Sequence, residues 1–526
     1  MRDFQVPGRS AVFATNGICA TSHPLAAKVA IQMLESGGNA VDAAIAGAVL
    51  LGLCEPQMTG LGGDCFVLLK PGGEDRVIGL NGSGRAPAGL DAAALRARGL
   101  DVMPTATADA VTVPGAVDAF CRLSKEWGRA GLAASLAPAI HYAEAGIPVA
   151  PRAAFDWGKS ADHLQGAARD FYLLGGKAPQ PGQVFRAPKQ AEVLRRIAMD
   201  GRAGFYEGEV AEDMVASLNA LGGTHTMEDF AATACTWTDP VSGHYKGVDL
   251  VEHPPNGQGA TAILMANILS HFDLPGLDPL GAERAHLEAE AAKLAYDARN
   301  RFVADADHIT RLDHMLAPET AERLAALIDP ARAMDSPAAL SEAVHRETIY
   351  ITVVDRDRMA VSLIYSIFHS FGSGLASSKF GINFQNRGAG FSLTEGHVNE
   401  AAGGKRPMHT IIPAMLKKDG KVIMPFGVMG GAYQPNGHVR VLTNLIDYDM
   451  NPQQALDAPR SFSDAGTMLV ERGYRDDVRS TLAGMGHDVA IPDLPIGGAQ
   501  AILIDPETGV LQGASDPRKD GCALGY

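Results

Sequence analysis

Cysteine is scarce in this sequence: six of the 526 residues are cysteine, and they are scattered along the chain. They form no Cys-x-x-Cys pair and have no spacing typical of a zinc site, so we expect reduced residues packed in the core. None of the sixteen histidines stands in a His-Glu-x-x-His motif or a similar ligand pair; those considered are His23, His286, His345, His369 and His409. The sequence therefore predicts no metal site and no cofactor.

An excess of positive charge and long apolar runs are also missing. The chain has 45 Lys and Arg against 60 Asp and Glu, a formal net charge of −15, and nucleic-acid binders usually carry a basic patch. The longest apolar run, Ala43–Cys54, is shorter than the about 20 residues that a membrane helix needs. The first ten residues contain no apolar segment behind a basic start. We expect no nucleic-acid partner, no membrane span and a cytoplasmic location.

Periodic apolar residues predict several helices and two early strands. Asn39 is a good capping residue for a helix that is apolar nearly all round, which predicts burial between layers. From about residue 117 to residue 332 the sequence is mainly helical. The predicted helices are Pro24–Ser36, Ala40–Leu53, Gln190–Met199, Val210–Leu221 and Ala282–Phe302, and the strands are Cys65–Lys70 and Arg76–Leu80.

The pattern of the sequence changes from mainly helical to strand-forming at Thr348. From there β-branched and aromatic residues predict an antiparallel hairpin, whose strands 348–355 and 360–366 are joined by a turn at Arg356–Met359. Further strands are predicted at Val422–Val428 and Gln500–Ile504, with a helix at His438–Leu445. Helices on both sides of antiparallel strands predict an α/β fold with four layers in the order αββα.

Familiar catalytic and nucleotide-binding motifs are missing. Gly60-Leu-Gly-Gly-Asp64 lacks the Lys-Ser/Thr of a phosphate-binding loop and precedes a strand, where a dinucleotide loop would open a helix. The near matches to Gly-x-Ser-x-Gly, Gly8–Val12 and Gly158–Asp162, fail at the last position. A threonine at the start of a strand is another nucleophile to consider, because its own α-amine serves as base once the preceding peptide bond is cut. From pattern alone, however, Thr348 is an ordinary strand residue.

A series of short motifs runs along almost the whole chain in a fixed order: Ala20-Thr-Ser-His-Pro24, Gly37-Gly-Asn-Ala-Val-Asp42, Glu55-Pro56, Gly60-Leu-Gly-Gly63, Val113-Pro-Gly115, Phe205-Tyr-Glu-Gly208, Phe371-Gly-Ser-Gly374, Lys405-Arg-Pro407, Met429-Gly-Gly431, Ala458-Pro-Arg460 and Gly513-Ala-Ser-Asp-Pro-Arg518. Each motif alone is weak evidence. Because all of them occur in this order, the chain resembles the gamma-glutamyltranspeptidase family of N-terminal-nucleophile hydrolases.

This resemblance implies a self-processing enzyme. The family's precursor is cut before a threonine that opens a strand ending Val-Val-Asp, which corresponds to Thr348 here. Cleavage between Glu347 and Thr348 gives a large subunit, 1–347, and a small subunit, 348–526, which together form one αββα body. The resemblance further implies that Thr348 is the nucleophile, that the backbone N–H groups of Gly430 and Gly431 form an oxyanion hole, and that the Ser366 hydroxyl supports the nucleophile.

The chain departs from the family's pattern in the substrate pocket. Phe368 stands where the family has an asparagine, and Arg387-Gly-Ala-Gly-Phe391 replaces an amide or acid followed by Asp-Asp-Phe. The groups expected to hold a glutamyl α-ammonium are therefore absent from these positions. His409-Thr410 replaces the family's Ser-Ser, and Ser83 replaces an arginine, with Arg85 two residues later. The short segment Leu393–Gly404 predicts a more open site than that of relatives with a longer lid.

These departures favour hydrolysis of a small carboxylate-bearing amide, as in the family branch that includes oxamate amidohydrolase. The residues expected to grip the carboxylate are Arg85, Arg387, His409, Thr410 and Tyr433. Each of these also has an ordinary structural interpretation, such as a solvated arginine or a packed tyrosine. Three alternatives stay open: an acylase acting on an acyl side chain, a gamma-glutamyl hydrolase or transferase, and an unprocessed, non-catalytic binding relative. A chain of this size is compatible with a homodimer of processed protomers, which is a heterotetramer.

Overall fold

The fold is described from a computed structural model, which describes Gln5 and residues 8–335, 348–464 and 466–526. The predicted cleavage site therefore has Thr348 inside the described residues and Glu347 outside them. The strands are β1 Val12–Ala14, β2 Ile18–Thr21, β3 Asp64–Lys70, β4 Ile78–Gly82, β5 Ile147–Pro148, β6 Val184–Phe185, β7 Thr236–Thr238, β8 Val241–Tyr245, β9 Val248–Glu252, β10 Ile349–Val354, β11 Ala360–Ser366, β12 Ala414–Lys418, β13 Lys421–Met429, β14 Ser461–Asp464, β15 Thr467–Val470, β16 Asp488–Ala490, β17 Gly498–Ile504, β18 Leu511–Ser515 and β19 Cys522–Gly525.

The helices are α1 Pro24–Glu35, α2 Ala40–Cys54, α3 Ala92–Ala97, α4 Ala116–Trp127, α5 Leu132–Ala145, α6 Pro151–Ser160, α7 Ala167–Tyr172, α8 Pro188–Asp200, α9 Ala203–Tyr206, α10 Gly208–Ala220, α11 Met227–Ala231, α12 Gly259–Leu269, α13 Ala282–Phe302, α14 Leu312–Leu316, α15 Pro318–Ala325, α16 Gln434–Ile446, α17 Pro452–Asp457 and α18 Asp476–Gly484. Short 3-10 helices include Arg387–Gly390 and Gly431–Tyr433.

Two seven-stranded antiparallel sheets form the middle of the molecule. One has the order β1-β18-β17-β13-β12-β9-β8, and the other has the order β19-β2-β10-β11-β3-β4-β7. Helices cover the outer face of each sheet: α2 packs on β10 and β11, while α12 and α16 pack on the sheet that contains β9 and β13. Apolar side chains also fill the space between the sheets. The structure thus confirms the predicted αββα fold.

The helix α2 is buried at every position, which explains its apolar sequence. Its first turn is closed by a capping box, in which the Asn39 side chain accepts from backbone N–H groups and Asp42 accepts from Asn39 N. Because α2 packs on β10 and β11 and is covered by α1, α4 and α5, it has no solvent-facing side and needs no polar stripe. The sequence prediction of a buried second helix is confirmed.

The predicted hairpin is formed by β10 and β11, paired in register from Ile349 opposite Tyr365 to Val354 opposite Ala360. Both strands are buried along their whole length, which suits their β-branched and aromatic residues. The strand predicted at Arg76–Leu80 is shifted to β4, Ile78–Gly82. The mainly helical stretch also contains the hairpin of β8 and β9, joined at Lys246 and Gly247, which both have positive φ.

Several strand ends meet at one end of the sandwich. In one sheet these are the start of β10, the end of β11 and the start of β3, where Ser366 lies opposite Asp64. In the other sheet they are the end of β9, the start of β12 and the end of β13. Phe66, Tyr350, Ile364, Ile411 and Met429 form one buried cluster across the two sheets at this end. The loops that leave these strands therefore share one region.

Candidate functional site

Thr348 and Ser366 are brought together by the hairpin. Thr348 lies immediately before β10, and Ser366 is the last residue of the neighbouring β11. The Thr348 Oγ1 donates a hydrogen bond to Ser366 Oγ at 3.2 Å, and both side chains are buried. The Ser366 Oγ also accepts from the backbone N–H of Phe368 at 2.9 Å, which fixes the position of the serine hydroxyl.

Arg387 joins this pair from the loop before β12. Its Nη2 donates to Ser366 Oγ at 3.3 Å and its Nη1 donates to Thr410 Oγ1 at 2.9 Å. The guanidinium is fully buried and lies 4.1 Å from the centroid of the Phe368 ring, in cation–π geometry. We call Thr348, Ser366, Arg387 and Thr410 the Thr348 network. Its hydroxyl groups can donate and accept hydrogen bonds, and its planar cation can donate them, to a small polar substrate.

Gly430 and Gly431 form a turn between β13 and α16. Their φ angles are +125° and +55°, and a Cβ on Gly430 would lie 3.0 Å from Gly497 Cα, so this turn requires glycine at position 430. The side-chain amide of Gln258 donates to both Gly431 O, at 3.0 Å, and Thr410 O, at 2.6 Å. Gln258 thereby ties the Gly-Gly turn to the segment that carries Thr410.

A second buried network is centred on the Asp64 carboxylate. Asp64 Oδ1 accepts from Gly84 N at 2.9 Å, Gly115 N at 3.1 Å and Gln385 Nε2 at 2.9 Å, and Oδ2 lies 3.1 Å from His409 Nε2. Gly84 cannot carry a side chain, because its Cβ would lie 1.5 Å from Val113 O. We call Asp64, Gly84, Gly115, Gln385 and His409 the Asp64 network. The hydrogen bonds of this network hold four separate segments of the chain at the start of β3.

His409 is a neutral donor in this network. Ile411 N donates to its Nδ1 at 3.4 Å, so the ring proton is on Nε2 and points to Asp64. Burial and then the positive charge of Arg387 lower the pKa of His409 to about 3, although Asp64 acts in the opposite direction. His409, expected to grip substrate, is thus placed in support of the neighbouring loops.

Two other residues expected at the substrate lie outside the Thr348 network. Arg85 bonds Asp305 Oδ2 at 3.3 Å and Gly404 O at 2.9 Å, and its side chain is 43% exposed. Tyr433 is buried against Phe462, with ring centroids 5.4 Å apart, and burial raises the pKa of its hydroxyl to about 12. Within the described residues the Tyr433 hydroxyl has no hydrogen-bond partner. Of the five residues expected to grip substrate, Arg387 and Thr410 are linked to Thr348 by hydrogen bonds that run through Ser366.

Sequence reasoning missed the polar residues that hold the site together. Asp64, Gln258, Gln385 and Asn386 are buried amides or acids, and Asn386 bonds both Thr105 O and His369 Nδ1 at 2.9 Å. A lone carboxylate at the head of the otherwise almost wholly apolar strand β3 was an available signal, since such a group needs buried donors. The amides on loops had no comparable local signal.

A known protein family and several of its members match almost the whole chain. The family model described as gamma-glutamyltranspeptidase matches residues 26–526. The chain belongs to the gamma-glutamyltranspeptidase family. This gamma-glutamyltranspeptidase-family chain is 37% identical to the glutathione hydrolase-like YwrD proenzyme of Bacillus subtilis (strain 168), over 98% of this chain and 99% of the relative. It is 34% identical to the oxamate amidohydrolase proenzyme of Klebsiella pneumoniae, and this match covers 98% of this chain and 99% of the relative.

Solved structures show the same family likeness. The crystal structure of cephalosporin acylase from Bacillus halodurans has a TM-score of 0.93 and 38% identity, and the match covers 100% of this chain and 99% of that one. As a member of the gamma-glutamyltranspeptidase family, the chain is an enzyme of the class that hydrolyses amide bonds. In the part of the chain that the structure describes, every helix is too short or too polar to cross a bilayer.

Proposed function

We propose that the chain is cut between Glu347 and Thr348 and that Thr348 then acts as an N-terminal nucleophile on amide bonds. The observation that carries this proposal is the 3.2 Å hydrogen bond from Thr348 Oγ1 to Ser366 Oγ at the start of β10. The names of the relatives support it, because two of them are described as proenzymes. The two subunits are residues 1–347 and 348–526.

The chemistry follows from these groups. The Thr348 Oγ attacks the carbonyl carbon of Glu347, and the C–N bond breaks as the acyl group moves to oxygen, which frees the α-amine of Thr348. Water then hydrolyses the resulting ester, which releases the Glu347 carboxylate and restores the Thr348 hydroxyl. In turnover this amine accepts the hydroxyl proton while Oγ attacks the substrate amide, and it returns the proton to the leaving amine. Water then hydrolyses the acyl-enzyme. The N–H groups of Gly430 and Gly431 receive the negative oxygen of the tetrahedral intermediate, a contribution of roughly 3–4 kcal/mol.

The substrate is a small amide that carries a carboxylate. A buried guanidinium at 3.3 Å from Ser366 Oγ attracts an anion and repels the α-ammonium of a glutamyl group. Arginine also offers paired N–H donors that match the geometry of a carboxylate, and Thr410 adds a hydroxyl beside it. The 34% identity to an oxamate amidohydrolase supports an oxamate-like substrate.

A panel of amides tests this assignment. We expect kcat/KM for oxamate to exceed that for a gamma-glutamyl anilide by at least about tenfold, or about 1.4 kcal/mol, with no acceleration by a dipeptide acceptor. Faster turnover of the gamma-glutamyl anilide, with acceleration by the dipeptide, would contradict the carboxylate-only substrate and favour a transpeptidase. Turnover of an N-acyl cephalosporin alone would favour an acylase.

A further inference from the structure

Two histidines and a glutamate that are not part of the Thr348 network lie close together. His286 and Glu290 lie one turn apart on α13, and His487 follows α18. The His286 Nδ1 lies 2.8 Å from His487 Nε2, and one donor atom from each of the three residues lies within 4.8 Å of the others. All three side chains are buried. The sequence predicted no metal site, and the ligand spacing it relied on could not detect this cluster, because the two histidines are 201 residues apart.

We propose that His286, Glu290 and His487 bind one divalent transition-metal cation of the zinc type. Two imidazole nitrogens and one carboxylate oxygen are a donor set that suits Zn²⁺. A tetrahedral Zn²⁺ with bonds of about 2.0–2.1 Å separates its donor atoms by roughly 3.3 Å. The two histidine nitrogens, which are 2.8 Å apart, therefore move apart slightly when the ion binds. A water molecule takes the fourth position.

The orientation of His286 suits a ligand. Its Nε2 lies 2.8 Å from the carbonyl of Asp329, so Nε2 carries the ring proton and the Nδ1 lone pair faces His487. A ligating histidine usually donates its other N–H to a carbonyl or carboxylate in this way. In the ion-free cluster the proton between the two rings therefore lies on His487 Nε2, and His487 coordinates Zn²⁺ as its other tautomer, with the ring proton on Nδ1.

The positive charge of Lys293 acts against metal binding at this cluster. Its Nζ donates to Glu290 Oε1 at 2.7 Å and to Met334 O at 2.8 Å, while Glu290 Oε2 accepts from Met334 N at 2.8 Å. A carboxylate oxygen has two lone pairs, so Glu290 keeps these bonds while it coordinates through one oxygen. The ammonium charge nevertheless weakens cation binding. Removing it should tighten the site, a response that a purely structural cluster does not predict.

The proposed metal site contacts the segment 329–334, which precedes Thr348 in the sequence. The segment 329–334 is held by His286, Glu290 and Lys293, and Ala333 N donates to Met485 O at 2.8 Å. His286 and Glu290 belong to residues 1–347, and His487 belongs to residues 348–526. The bound ion would therefore join the two subunits, a consequence that rests on the proposed cleavage, whereas the metal site itself does not.

Zinc titration of the purified full-length protein tests the site. After treatment with a chelator and dialysis, we expect one equivalent of Zn²⁺ to bind by calorimetry and to raise Tm by about 3 °C or more. The uncut Thr348→Ala variant should bind equally, which separates this test from the proposed function. Glu290→Gln and His487→Ala should each weaken binding at least about 30-fold, and Lys293→Met should strengthen it.

The matched control is His244→Ala, because His244 is a histidine whose side chain is 68% exposed. We expect this variant to bind Zn²⁺ as the wild type does. The proposal is overturned if the wild type binds no stoichiometric Zn²⁺, or if Glu290→Gln and His487→Ala bind as tightly as His244→Ala. Either result would mean that the three residues form a structural hydrogen-bonded cluster and no metal site. If His487→Ala does not fold, Glu290→Gln and Lys293→Met still decide the outcome, since they change affinity in opposite directions.

Discussion

The Thr348 network and the Asp64 network lie at the same end of the sandwich but are built differently. The consecutive residues His409 and Thr410 belong one to each: His409 bonds Asp64, and Thr410 accepts from Arg387. In the Thr348 network, the hydroxyl groups can rotate their protons toward a substrate, and the arginine offers fixed N–H donors. In the Asp64 network one carboxylate is fully used by four N–H donors.

The Thr348 network is therefore suited to chemistry, and the Asp64 network is suited to positioning the loops around it. A carboxylate with four donors from separate loops costs stability when it is changed, because buried donors lose their acceptor. Removal of the Ser366 hydroxyl should lower the rate, and it should cost less stability than the change at Asp64, because a neutral acceptor with fewer donors is lost. Variants in the two networks should therefore affect different measurements.

The largest expected effect is on the stability of Asp64→Asn. The substituted amide presents N–H where His409 or a backbone N–H donates, so we expect the free energy of unfolding to fall by about 3 kcal/mol or more. Denaturant unfolding measures this change. Asp101→Asn, at an exposed position, should stay within about 0.5 kcal/mol of the wild type. Equal small effects of both substitutions would contradict the supporting role of Asp64.

Ser366→Ala should affect rate more than stability. It removes the acceptor of the Thr348 hydroxyl and a partner of Arg387, so we expect kcat/KM for amide hydrolysis to fall about 100-fold, or ~2.7 kcal/mol. Ser362→Ala is the matched control, because Ser362 is a buried serine of the same strand that bonds Tyr350 and Phe426 instead. A comparable loss of kcat/KM in both variants would remove the distinction.

The two arginines expected to grip a carboxylate can be compared in the same way. Arg387→Lys keeps the charge but loses the paired donors and the stacking on Phe368, so we expect kcat/KM for oxamate to fall about 30-fold, or ~2 kcal/mol. Arg85→Lys should change it less than about twofold, because Arg85 is partly exposed and bonds Asp305. Steady-state kinetics that rank the two variants in the opposite order would place the carboxylate near Arg85.

The effect that is smallest near neutral pH is the pH dependence of stability contributed by His409. Its folded-state pKa of about 3 lies below the ordinary value near 6.5, so below pH 6.5 the unfolded state binds the proton and the folded state does not. The stabilisation is complete above pH 6.5 and is lost as the pH falls toward 3, by up to about 1.4 kcal/mol per pH unit. His409→Gln should flatten the fall in unfolding free energy between pH 6 and 4.5, whereas the exposed control His244→Gln should not.

The sequence predicted the elements whose signals are local. Consecutive β-branched and aromatic residues predict the hairpin of β10 and β11. The helix α13 has the predicted bounds Ala282–Phe302. The hairpin of β8 and β9 was missed inside a mainly helical stretch, although Lys246-Gly247 is a two-residue turn of the kind that joins strands. Resemblance located Thr348, Ser366 and the Gly-Gly turn, and their catalytic roles stay predictions.

The rest of the site depends on contacts between distant residues. The four donors to Asp64 are separated from it by 20, 51, 321 and 345 residues, so no window of sequence contains them. Arg85 and Arg387 are both arginines near glycines in the sequence, and only packing decides that one is partly exposed and the other fully buried.

The most direct test of the central claim is the intact mass and N-terminal sequence of the purified protein beside a Thr348→Ala variant. We predict two fragments for the wild type, the smaller beginning at Thr348, and one uncut chain of 55.1 kDa for the variant. A wild-type protein that stays whole, or that is cut at another residue, would contradict the assignment of Thr348 as an N-terminal nucleophile.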